Sequence, residues 1–444
     1  MKKIFVIFSL CISTCSFAQT LTLDECVKHA VAHNRTLVNA SLEIQASSVQ
    51  QQEMRTKYLP QVSANVMAFY AFDKIVKGDG TIPQEIAAIP ALADLAGQPF
   101  SIRELNRGYS ATLSVMQPVY AGGQITTAND MARLGCEVAE LQKSMQEKDV
   151  IQKVTENYWQ IVLLKYNIRT IEAAEKQLTA IYKQVNDFVE VGVTTHNALL
   201  KVKLRQQELA SNRLKVENGE RVLLLLLAQQ IGMADAKDFE IVVPDGVEAP
   251  ELPVGYVYNP STSGREELKL AGKAIEAQEM QVKLERGKCM PSVAVGLMGY
   301  HTGFGGLSST MKNYVNSTMT NAFGLVTVSF PITAWLGGNH AIHRAQIKLQ
   351  QLNNSYKDAQ EKLRIDVESA WLNAVEAHKQ IDIARTSVEE AEENLRMSSD
   401  RYSVGKETIT ELLDAETLNR QAHDQLSSAI ATYQIRLADY KRKL

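Results

Sequence analysis

Two acidic residues have a type and a spacing that could do chemistry. Glu411 and Asp414 lie three residues apart, so a helix would present both carboxylates on one face. Carboxylates that are held close together attract cations, and their mutual repulsion raises some of their pKa values. Most acidic pairs at this spacing belong to ordinary solvated helix surfaces. The pair alone therefore leaves a cation site and a solvated surface as alternatives.

Two histidine pairs are the other candidates for a functional site. His29 with His33, and His340 with His343, have a helical spacing that would suit two ligands of a metal ion. The sequence shows no third ligand for either pair, so we expect solvated or packed histidines. It also shows no nucleophile beside a general base and no phosphate-binding loop. We therefore predict a protein that is not an enzyme and that holds no metal or cofactor.

The first 18 residues resemble a secretory signal peptide. Lys2 and Lys3 precede an apolar run over residues 4–10, and small residues lead to a cleavage site. Lipidation at Cys15 is a weaker alternative, because the residues before it are a poor approach to a lipidated cysteine. Cleavage removes two of the 47 basic residues and leaves 45 against 50 acidic ones, a net charge near −5. This balance argues against a nucleic-acid partner.

The chain repeats itself, and the repeats contain the elements that must position these side chains. Several residues recur at one offset, 331 minus 118, or 213 positions. The recurring pairs include Pro118 and Pro331, Val154 and Val367, Val191 and Val404, Gly192 and Gly405, and Thr195 and Thr408. A duplication on this scale makes each half a copy of the same structural unit. We predict a first repeat over 19–231, a linker over 232–262 and a second repeat over 263–444.

Each repeat is dominated by one long helix. Residues 119–243 and 332–444 contain no proline, and apolar or small side chains recur within them in steps of three and four. Each of these seams runs for about 65 residues, or roughly 100 Å of helix. The shorter helices are expected over about 22–57 and 196–231, then over about 263–288 and 407–443. We expect each pair of short helices to stack end to end beside its long helix and to form a rod.

Two segments in each repeat alternate apolar and polar side chains. In the clearest of them Val62, Ala64 and Val66 alternate with Ser63 and Asn65. Alternation alone usually indicates a strand of a soluble sheet. These segments, however, run for about 9–12 residues and have aromatic residues near their ends, as the strands of membrane barrels do. Four strands cannot close a barrel, since about eight are needed, but three chains would supply twelve.

Prolines and glycines mark the junctions between these strands and the helices. The residues concerned are Pro60, Pro118, Gly122, Gly123, Pro291, Pro331, Gly337 and Gly338. Proline cannot continue a helix, and a double glycine can turn the chain from a tilted strand into the next helix. Their predicted role is architectural. A long loop over about 73–107 is expected between the two strands of the first repeat.

Four motifs carry a resemblance to a known family. They are Leu21-Thr22-Leu23-Asp24-Glu25, then Tyr58-Leu59-Pro60, then Gln117-Pro118-Val119-Tyr120-Ala121-Gly122-Gly123, and above all Arg401-Tyr402-Ser403-Val404-Gly405 followed by Thr408. With these motifs, the chain resembles the TolC-type outer-membrane efflux protein family over nearly its whole length. The resemblance implies an α+β membrane protein and a homotrimer. Its twelve-stranded β-barrel, with four strands per chain, would lie in the outer membrane, above a long α-helical barrel in the periplasm.

The family resemblance also implies what the protein does. Such proteins are passive exit ducts of tripartite efflux or type I secretion systems. They dock to a periplasmic adaptor protein and an inner-membrane pump, which supplies the energy. Drugs, metals and proteins are not distinguished as substrates, because the pump is another chain.

The same resemblance assigns roles to individual residues. Acidic residues at the positions of Glu411 and Asp414 line the constricted periplasmic end of the tube, where a trimer would bring six carboxylates together. Tyr402 matches a position that helps to hold this aperture closed. Glu407 stands where other members can have an arginine, so a latch built on that arginine is not expected here.

The turns after the two long helices are expected to form the periplasmic tips and to contact the adaptor. The residues of these turns are Val191, Gly192, Thr195, Val404, Gly405 and Thr408. We expect Gly192 and Gly405 in the left-handed or tight geometry that ends a helix.

An exported coiled-coil scaffold or adaptor without a channel is the alternative function. Its short strands would form a soluble sheet. Such a scaffold would not need an alternating, aromatic-ended pair of strands in each repeat. Recovery of the protein in a soluble extract would favour the scaffold.

Overall fold

The computed structural model describes residues 19–72, 77–81, 84–85, 97–103, 105–236, 239–244, 264–307 and 314–443. The predicted signal peptide, Cys15 and much of the predicted linker lie outside these residues. The chain divides into two compact units. The helical unit comprises the described residues within Met1–Gln45, Glu137–Lys273 and Asn353–Leu444, and the strand unit those within Ala46–Cys136 and Ala274–Leu352. Each unit combines segments from both halves of the chain.

Seven helices lie in the described residues. They are α1 (Leu23–His33), α2 (Arg35–Thr56), α3 (Gln124–Glu190), α4 (His196–Ile231), α5 (Glu266–Lys288), α6 (Ala334–Ser403) and α7 (Ile409–Lys443). With 67 residues in α3 and 70 in α6, the two long helices predicted from the seams are present. None of the described helices is both long enough and apolar enough to cross a membrane.

The seams that predict the long helices are buried. In α3, Val154, Ile161, Leu178 and Val185 have no exposed surface, and in α6 the same is true of Ala374. Full burial of a valine, leucine or isoleucine contributes about 1.5–3 kcal/mol. The seams therefore supply much of the packing energy of the helices.

The first predicted short helix is interrupted at Asn34. The backbone of Asn34 is extended (φ −63°, ψ 125°), and α1 ends there. The side-chain amide of Asn34 donates to the carbonyl of Gln230 in α4 at 2.9 Å, and its side-chain oxygen accepts from the N–H of Thr36. A tertiary contact thus stabilises the break, and the spacing of apolar residues does not reveal it.

A short parallel sheet lies in the helical unit. Its strands are β1 (Gln19–Leu21) and β6 (Phe239–Ile241), and their apolar side chains are buried. Tyr158 of α3 donates its hydroxyl to the carbonyl of Val242, just after β6, at 2.6 Å. Strands of three residues carry too little alternation for the sequence to predict them.

The strand unit contains a four-stranded antiparallel sheet. Its strands, in spatial order, are β2 (Gln61–Tyr70), β5 (Leu105–Ala121), β7 (Ser292–Leu307) and β8 (Tyr314–Ser329). The predicted length of 9–12 residues is right for β2, which has 10, but β5 has 17 and β7 and β8 have 16 each. In β7 the alternation ends in a run containing Gly303 and Gly305, so the pattern does not show the full strand.

The register brings the alternating side chains of all four strands onto common faces. Val62 lies opposite Val115, and Val115 lies opposite Leu297. One face, here called the apolar face, carries Val62, Ala64, Val66, Ala68, Ala111, Leu113, Val115, Val293, Val295, Leu297, Val326 and Val328. It also carries a smaller number of polar residues, which are Arg107, Gln117, His301, Thr318 and Thr320. The opposite face, here called the hydroxyl face, carries Ser63, Asn65, Ser110, Thr112, Ser114, Ser292, Thr302, Asn321, Thr327 and Ser329. Val66 is 80% exposed and Val326 70%, so the described residues leave the apolar face largely uncovered.

The segment predicted as a loop over 73–107 contains a hairpin. β3 (Lys77–Thr81) pairs antiparallel with β4 (Pro99–Arg103). The prediction of a plain loop is therefore wrong for these residues. Their glycines and proline hide the alternation that would identify strands.

The double glycines differ between the two repeats. Gly122 and Gly123 have φ values of 60° and 76° and turn the chain from β5 into α3, as predicted. Gly337 and Gly338 instead lie inside the first turns of α6, so their predicted role in a strand-to-helix turn is wrong. A side chain at Gly338 would collide with the sulfur of Cys289, which follows α5. Close packing between helices, rather than a turn, explains this glycine.

Three of the four junction prolines lie at strand ends. Pro60 and Pro291 directly precede β2 and β7, and Pro331 follows β8. Pro118 instead lies within β5, where the pairing with β7 shifts between Pro118 and Tyr120. Proline has no N–H to donate, so such an irregularity is where a strand tolerates it.

Candidate functional site

Two turns of similar backbone geometry end the long helices. After α3, Gly192 has a φ of 76°, and after α6, Gly405 has a φ of 73°. In each turn the next N–H donates back to the helix, from Val193 at 2.8 Å and from Lys406 at 2.9 Å. This is the left-handed geometry with which glycine commonly ends a helix, and it confirms the prediction for both residues.

Both turns expose apolar side chains. Val191 is 72% exposed, Val193 64% and Val404 65%. Single exposed apolar residues are common on protein surfaces. The predicted contact with an adaptor therefore stays a prediction, although these valines contribute little to the core of their own chain.

The helices that follow the turns begin differently. Thr408 accepts from the N–H of Glu411 at 3.3 Å, and the Glu411 carboxylate accepts from both the N–H and the hydroxyl of Thr408, at 2.8 Å each. This reciprocal arrangement is a capping box. Thr195 precedes α4 in the same way, but its side chain makes no cap. Ala198 stands where the second repeat has Glu411, so no carboxylate at this position can accept from the N–H of Thr195.

The cap lowers the pKa of Glu411. The hydrogen bonds from Thr408 hold the pKa of the Glu411 carboxyl below its usual value. Within one chain, this direction is opposite to the raised pKa that crowded carboxylates would show. Glu411 and Asp414 are both exposed on α7. One chain thus contributes two carboxylates, and the predicted ring of six needs further copies.

Tyr402 lies in the core between helices. It is 5% exposed, and its ring centroid lies 5.9 Å from that of Phe188 in α3. Its neighbours form the tip cluster, which comprises Ile171, Ala174, Leu178, Ile181, Val185, Ala198, Leu199, Val202, Leu209, Leu395, Tyr402, Ile409, Leu412, Leu413 and Ala415. The Tyr402 hydroxyl is buried without a hydrogen-bond partner among the described residues, and burial raises its pKa. Tyr402 therefore joins α6 to α3 by packing.

Glu407 is also turned inward. One of its carboxylate oxygens accepts from the hydroxyl of Ser398, which is 4% exposed in α6, at 2.5 Å. Its other oxygen is buried and has no partner in the described part of the chain. Glu407 thus bonds to the helix that precedes its own turn.

Three contacts that the sequence did not predict join α4 to α7. Lys201 Nζ donates to Thr410 Oγ1 at 2.8 Å. Arg205 donates to the Thr417 hydroxyl, and its Nε lies 3.7 Å from Glu416 Oε2. Glu416 is only 2% exposed, whereas the Arg205 side chain is 25% exposed. These contacts connect a helix of the first repeat with a helix of the second.

Glu416 places a carboxyl group inside the protein. Burial raises its pKa, and the charges of Arg205 and Arg420 partly offset that increase. A sequence signal for this site was present, because Glu416 follows Ile409 by seven residues and Leu412 by four, on the apolar stripe of α7. A charged residue on such a stripe indicates a buried pair.

The first histidine pair makes a local contact. His33 Nδ1 lies 3.2 Å from the His29 carbonyl oxygen, and the two rings stack with centroids 6.0 Å apart. Within the described ranges, no group of three or more His, Cys, Asp or Glu residues could hold a metal ion. In the described part of the chain, Cys26, Cys136 and Cys289 form no disulfide.

The sequence matches one family model and a curated relative. Residues 257–440 match the model of the outer membrane efflux protein family. The pyoverdine export outer membrane protein OpmQ of Pseudomonas putida is 22% identical over 419 residues, which are 91% of this chain and 81% of OpmQ.

Solved outer-membrane channels share the fold. The outer membrane protein VceC of Vibrio cholerae matches with a TM-score of 0.72 at 14% identity, over 95% of each chain. The CmeC channel of Campylobacter jejuni matches with a TM-score of 0.74 at 14% identity, over 95% of this chain and 85% of CmeC. At such low identity, these matches establish the arrangement of helices and strands and nothing about substrates.

Proposed function

We propose that the chain is the exit duct of a tripartite efflux or type I secretion system, because residues 257–440 match the outer membrane efflux protein family and OpmQ is similar over 91% of the chain. Three copies would form one tube in the outer membrane, and the tube would conduct substrate passively. The observation that carries this proposal is the four-stranded sheet, which has an uncovered apolar face and two open edges.

The open edges favour a barrel shared between copies. Among the described strands, β2 and β8 each pair on one side only. An open edge exposes unpaired N–H and C=O groups, and lipid offers these groups no hydrogen-bond partner. Pairing β8 of one copy with β2 of the next satisfies both edges. Three copies then close twelve strands, with the apolar face toward lipid and the hydroxyl face toward the lumen.

The helical unit would lie in the periplasm. The repeats over 19–231 and 263–444, joined by 232–262, would each contribute a helical hairpin to an α-helical barrel. The turns at Gly192 and Gly405 would meet a periplasmic adaptor protein, which connects the duct to an inner-membrane pump. The exposed valines of these turns support such a contact, because another protein could bury them.

The acidic pair would line the periplasmic aperture. In a trimer, Glu411 and Asp414 would supply six carboxylates, and such a ring favours cations. The capping box supports this role, because it keeps Glu411 ionised and holds its carboxylate in place. Tyr402 and Glu407 would act on the aperture indirectly. Both are packed behind the turn, where they set the position of α7 relative to α3 and α6.

A cysteine scan along β2 tests the proposal. Ser63 and Asn65 on the hydroxyl face, and Val62 and Val66 on the apolar face, are replaced one at a time by cysteine in protein reconstituted into lipid. A charged maleimide should label the hydroxyl-face positions at least about tenfold faster, because the bilayer excludes charged reagents. A coiled-coil scaffold with a soluble sheet would be labelled at similar rates on both faces. Chemical crosslinking that yields only monomers would contradict the shared barrel.

A further inference from the structure

The hydroxyl face has an unusual composition for a polar surface. Its described residues include no Asp, Glu, Lys or Arg, and its polar groups are hydroxyls and amides. Between these groups lie large apolar side chains, which are Met67, Phe69, Met116, Met298, Tyr300, Phe304, Met319, Phe323 and Leu325. The lining of an ion-selective pore is commonly built from rings of charged side chains or of carbonyl groups. The hydroxyl face instead suits molecules that combine apolar surface with hydrogen-bonding groups.

Two phenylalanines meet over a glycine on this face. Phe69 of β2, Gly108 of β5 and Phe304 of β7 lie in one row of the register, near the sheet end that is remote from the helix junctions. The ring centroids are 6.5 Å apart. A Cβ at Gly108 would lie 2.7 Å from Phe69 Cε1 and 3.0 Å from Phe304 Cδ1, so glycine is what lets both rings lie over β5. Phe304 is nevertheless 43% exposed and can contact another molecule.

A second aromatic pair lies nearer the helix junctions. Tyr300 and Phe323 make an edge-to-face contact with centroids 6.2 Å apart. Tyr300 precedes Phe304 by four residues on the same face of β7, which is about 13 Å along the strand. Met67 and Met319, 61% and 55% exposed, lie in the row between the two pairs. These four aromatic residues and two methionines form what we call the aromatic track.

Structural stabilisation alone does not explain the aromatic track. A ring that covers a glycine stabilises a sheet, and Tyr109 does this over Gly303 on the apolar face. On that face an aromatic residue suits the interface between lipid and water. On the hydroxyl face the rings and thioethers lie among serine, threonine and asparagine, where water would surround their exposed surface.

We propose that the aromatic track binds cargo as it passes, and that the cargo is an amphipathic organic molecule with a flat aromatic surface. The inference rests on the proposed function, because it takes the hydroxyl face as the wall of the lumen. Aromatic side chains bind flat rings by offset and edge-to-face contacts and attract cations at their faces. Methionine adapts to varied shapes, and the hydroxyls bind polar edges. Hydrated metal ions and folded proteins would gain little binding energy from contact with the aromatic track.

A cysteine at Ser110 reports whether the aromatic track is occupied, because Ser110 lies in the row between the two aromatic pairs. The Ser110→Cys protein in lipid nanodiscs reacts with a charged methanethiosulfonate, with tetraphenylphosphonium or tetrabutylammonium added. Both probes carry one positive charge, but only tetraphenylphosphonium presents aromatic rings. We expect tetraphenylphosphonium to halve the reaction rate at a concentration about tenfold lower than tetrabutylammonium, because two ring contacts would increase its affinity by about that factor.

Matched variants separate cargo binding from sheet stability. In the double variant Phe69→Ser with Phe304→Ser, the two probes should halve the reaction rate at similar concentrations. In Tyr109→Ser, the preference for tetraphenylphosphonium should be unchanged. If the double serine variant does not assemble, Phe69→Leu with Phe304→Leu should show the same loss while keeping apolar bulk.

Two results would contradict cargo binding by the aromatic track without contradicting the proposed function as an exit duct. They are equal protection by both probes in the starting protein, and a preference that survives loss of the rings. A third result would overturn the proposed function as well. If Ser110→Cys does not react while Leu113→Cys does, the hydroxyl face does not line a water-filled lumen.

Discussion

Removing the charge of Arg205 should loosen α4 from α7, and more so at neutral than at acidic pH. Arg205 faces the buried carboxyl of Glu416 and also donates to Thr417. Replacement by methionine keeps most of the apolar stem but removes the guanidinium. Glu416 then loses a cation that favours its charged form.

The magnitude follows from the burial of the two partners. Breaking a fully buried ion pair by removing one partner costs about 3–5 kcal/mol. Here Glu416 is 2% exposed, but the Arg205 side chain is 25% exposed and the pair is 3.7 Å apart. Arg420 also stays near Glu416. We therefore expect a cost of about 2 kcal/mol, which is about 30-fold in the equilibrium for local opening.

The pH dependence follows from the raised pKa of Glu416. A carboxyl whose pKa is higher in the folded state keeps its full contribution to stability below its ordinary value of 4.5, and loses it as the pH rises through the folded value. Without Arg205, the folded pKa rises further, so the loss becomes larger with increasing pH. The cost of Arg205→Met should be greatest near about pH 8 and smaller near about pH 5.

Amide hydrogen exchange measures this opening. Exchange in α4 and α7, corrected for intrinsic rates, should be about 30-fold faster in Arg205→Met near about pH 8. Arg213→Met is the matched control, because Arg213 pairs with Glu172, Glu175 and Glu217 on the surface, where solvent weakens ion pairs. Adding Glu416→Gln to Arg205→Met should restore most of the protection. Equal effects of the two arginine variants, or an effect independent of pH, would refute the reasoning.

Further outcomes are expected at the second turn. Glu411→Gln with Asp414→Asn should reduce the preference for cations in planar-bilayer recordings, and unchanged selectivity would count against the ring. Thr408→Ala should cost about 1 kcal/mol by removing the capping box, with faster amide exchange in the first turn of α7; unchanged exchange there would contradict this. Gly405→Ala should lower the unfolding temperature, because alanine disfavours a φ of 73° although the site has open space. Tyr402→Phe should leave that temperature unchanged, because the lost hydroxyl has no partner among the described residues, whereas Tyr402→Ala should cost about 3–5 kcal/mol. A large loss with phenylalanine would reveal a hydrogen bond to the hydroxyl.

Much of the helical architecture could be predicted because its signals are local. α4 begins and ends where the sequence predicts, and both long helices end at their Val-Gly turns. The break at Asn34 could not be predicted in this way, because its side chain bonds to Gln230, which is distant in the sequence. The ends of β5 and β7 were missed for a related reason, since strand pairing continues through proline and glycine.

The candidate site was only partly predictable. The turn motif led to Tyr402 and Glu411, but not to the packing of Tyr402 against Phe188 or to the cap that Glu411 makes with Thr408. Arg205 and Glu416 were missed altogether. A charged residue on an apolar stripe indicates burial, yet its partner on another helix can be identified only when both helices are placed.

By itself, the sequence determined which segments are helices and strands, where most turns lie, and which side chains of each strand share a face. These properties follow from the periods of helix and strand and from the backbone preferences of glycine and proline, which act over a few residues. Only the tertiary structure decided which faces meet. It buries Glu416 beside Arg205 and brings Phe69 and Phe304 together over Gly108, because residues far apart in the sequence come into contact only through packing and strand register.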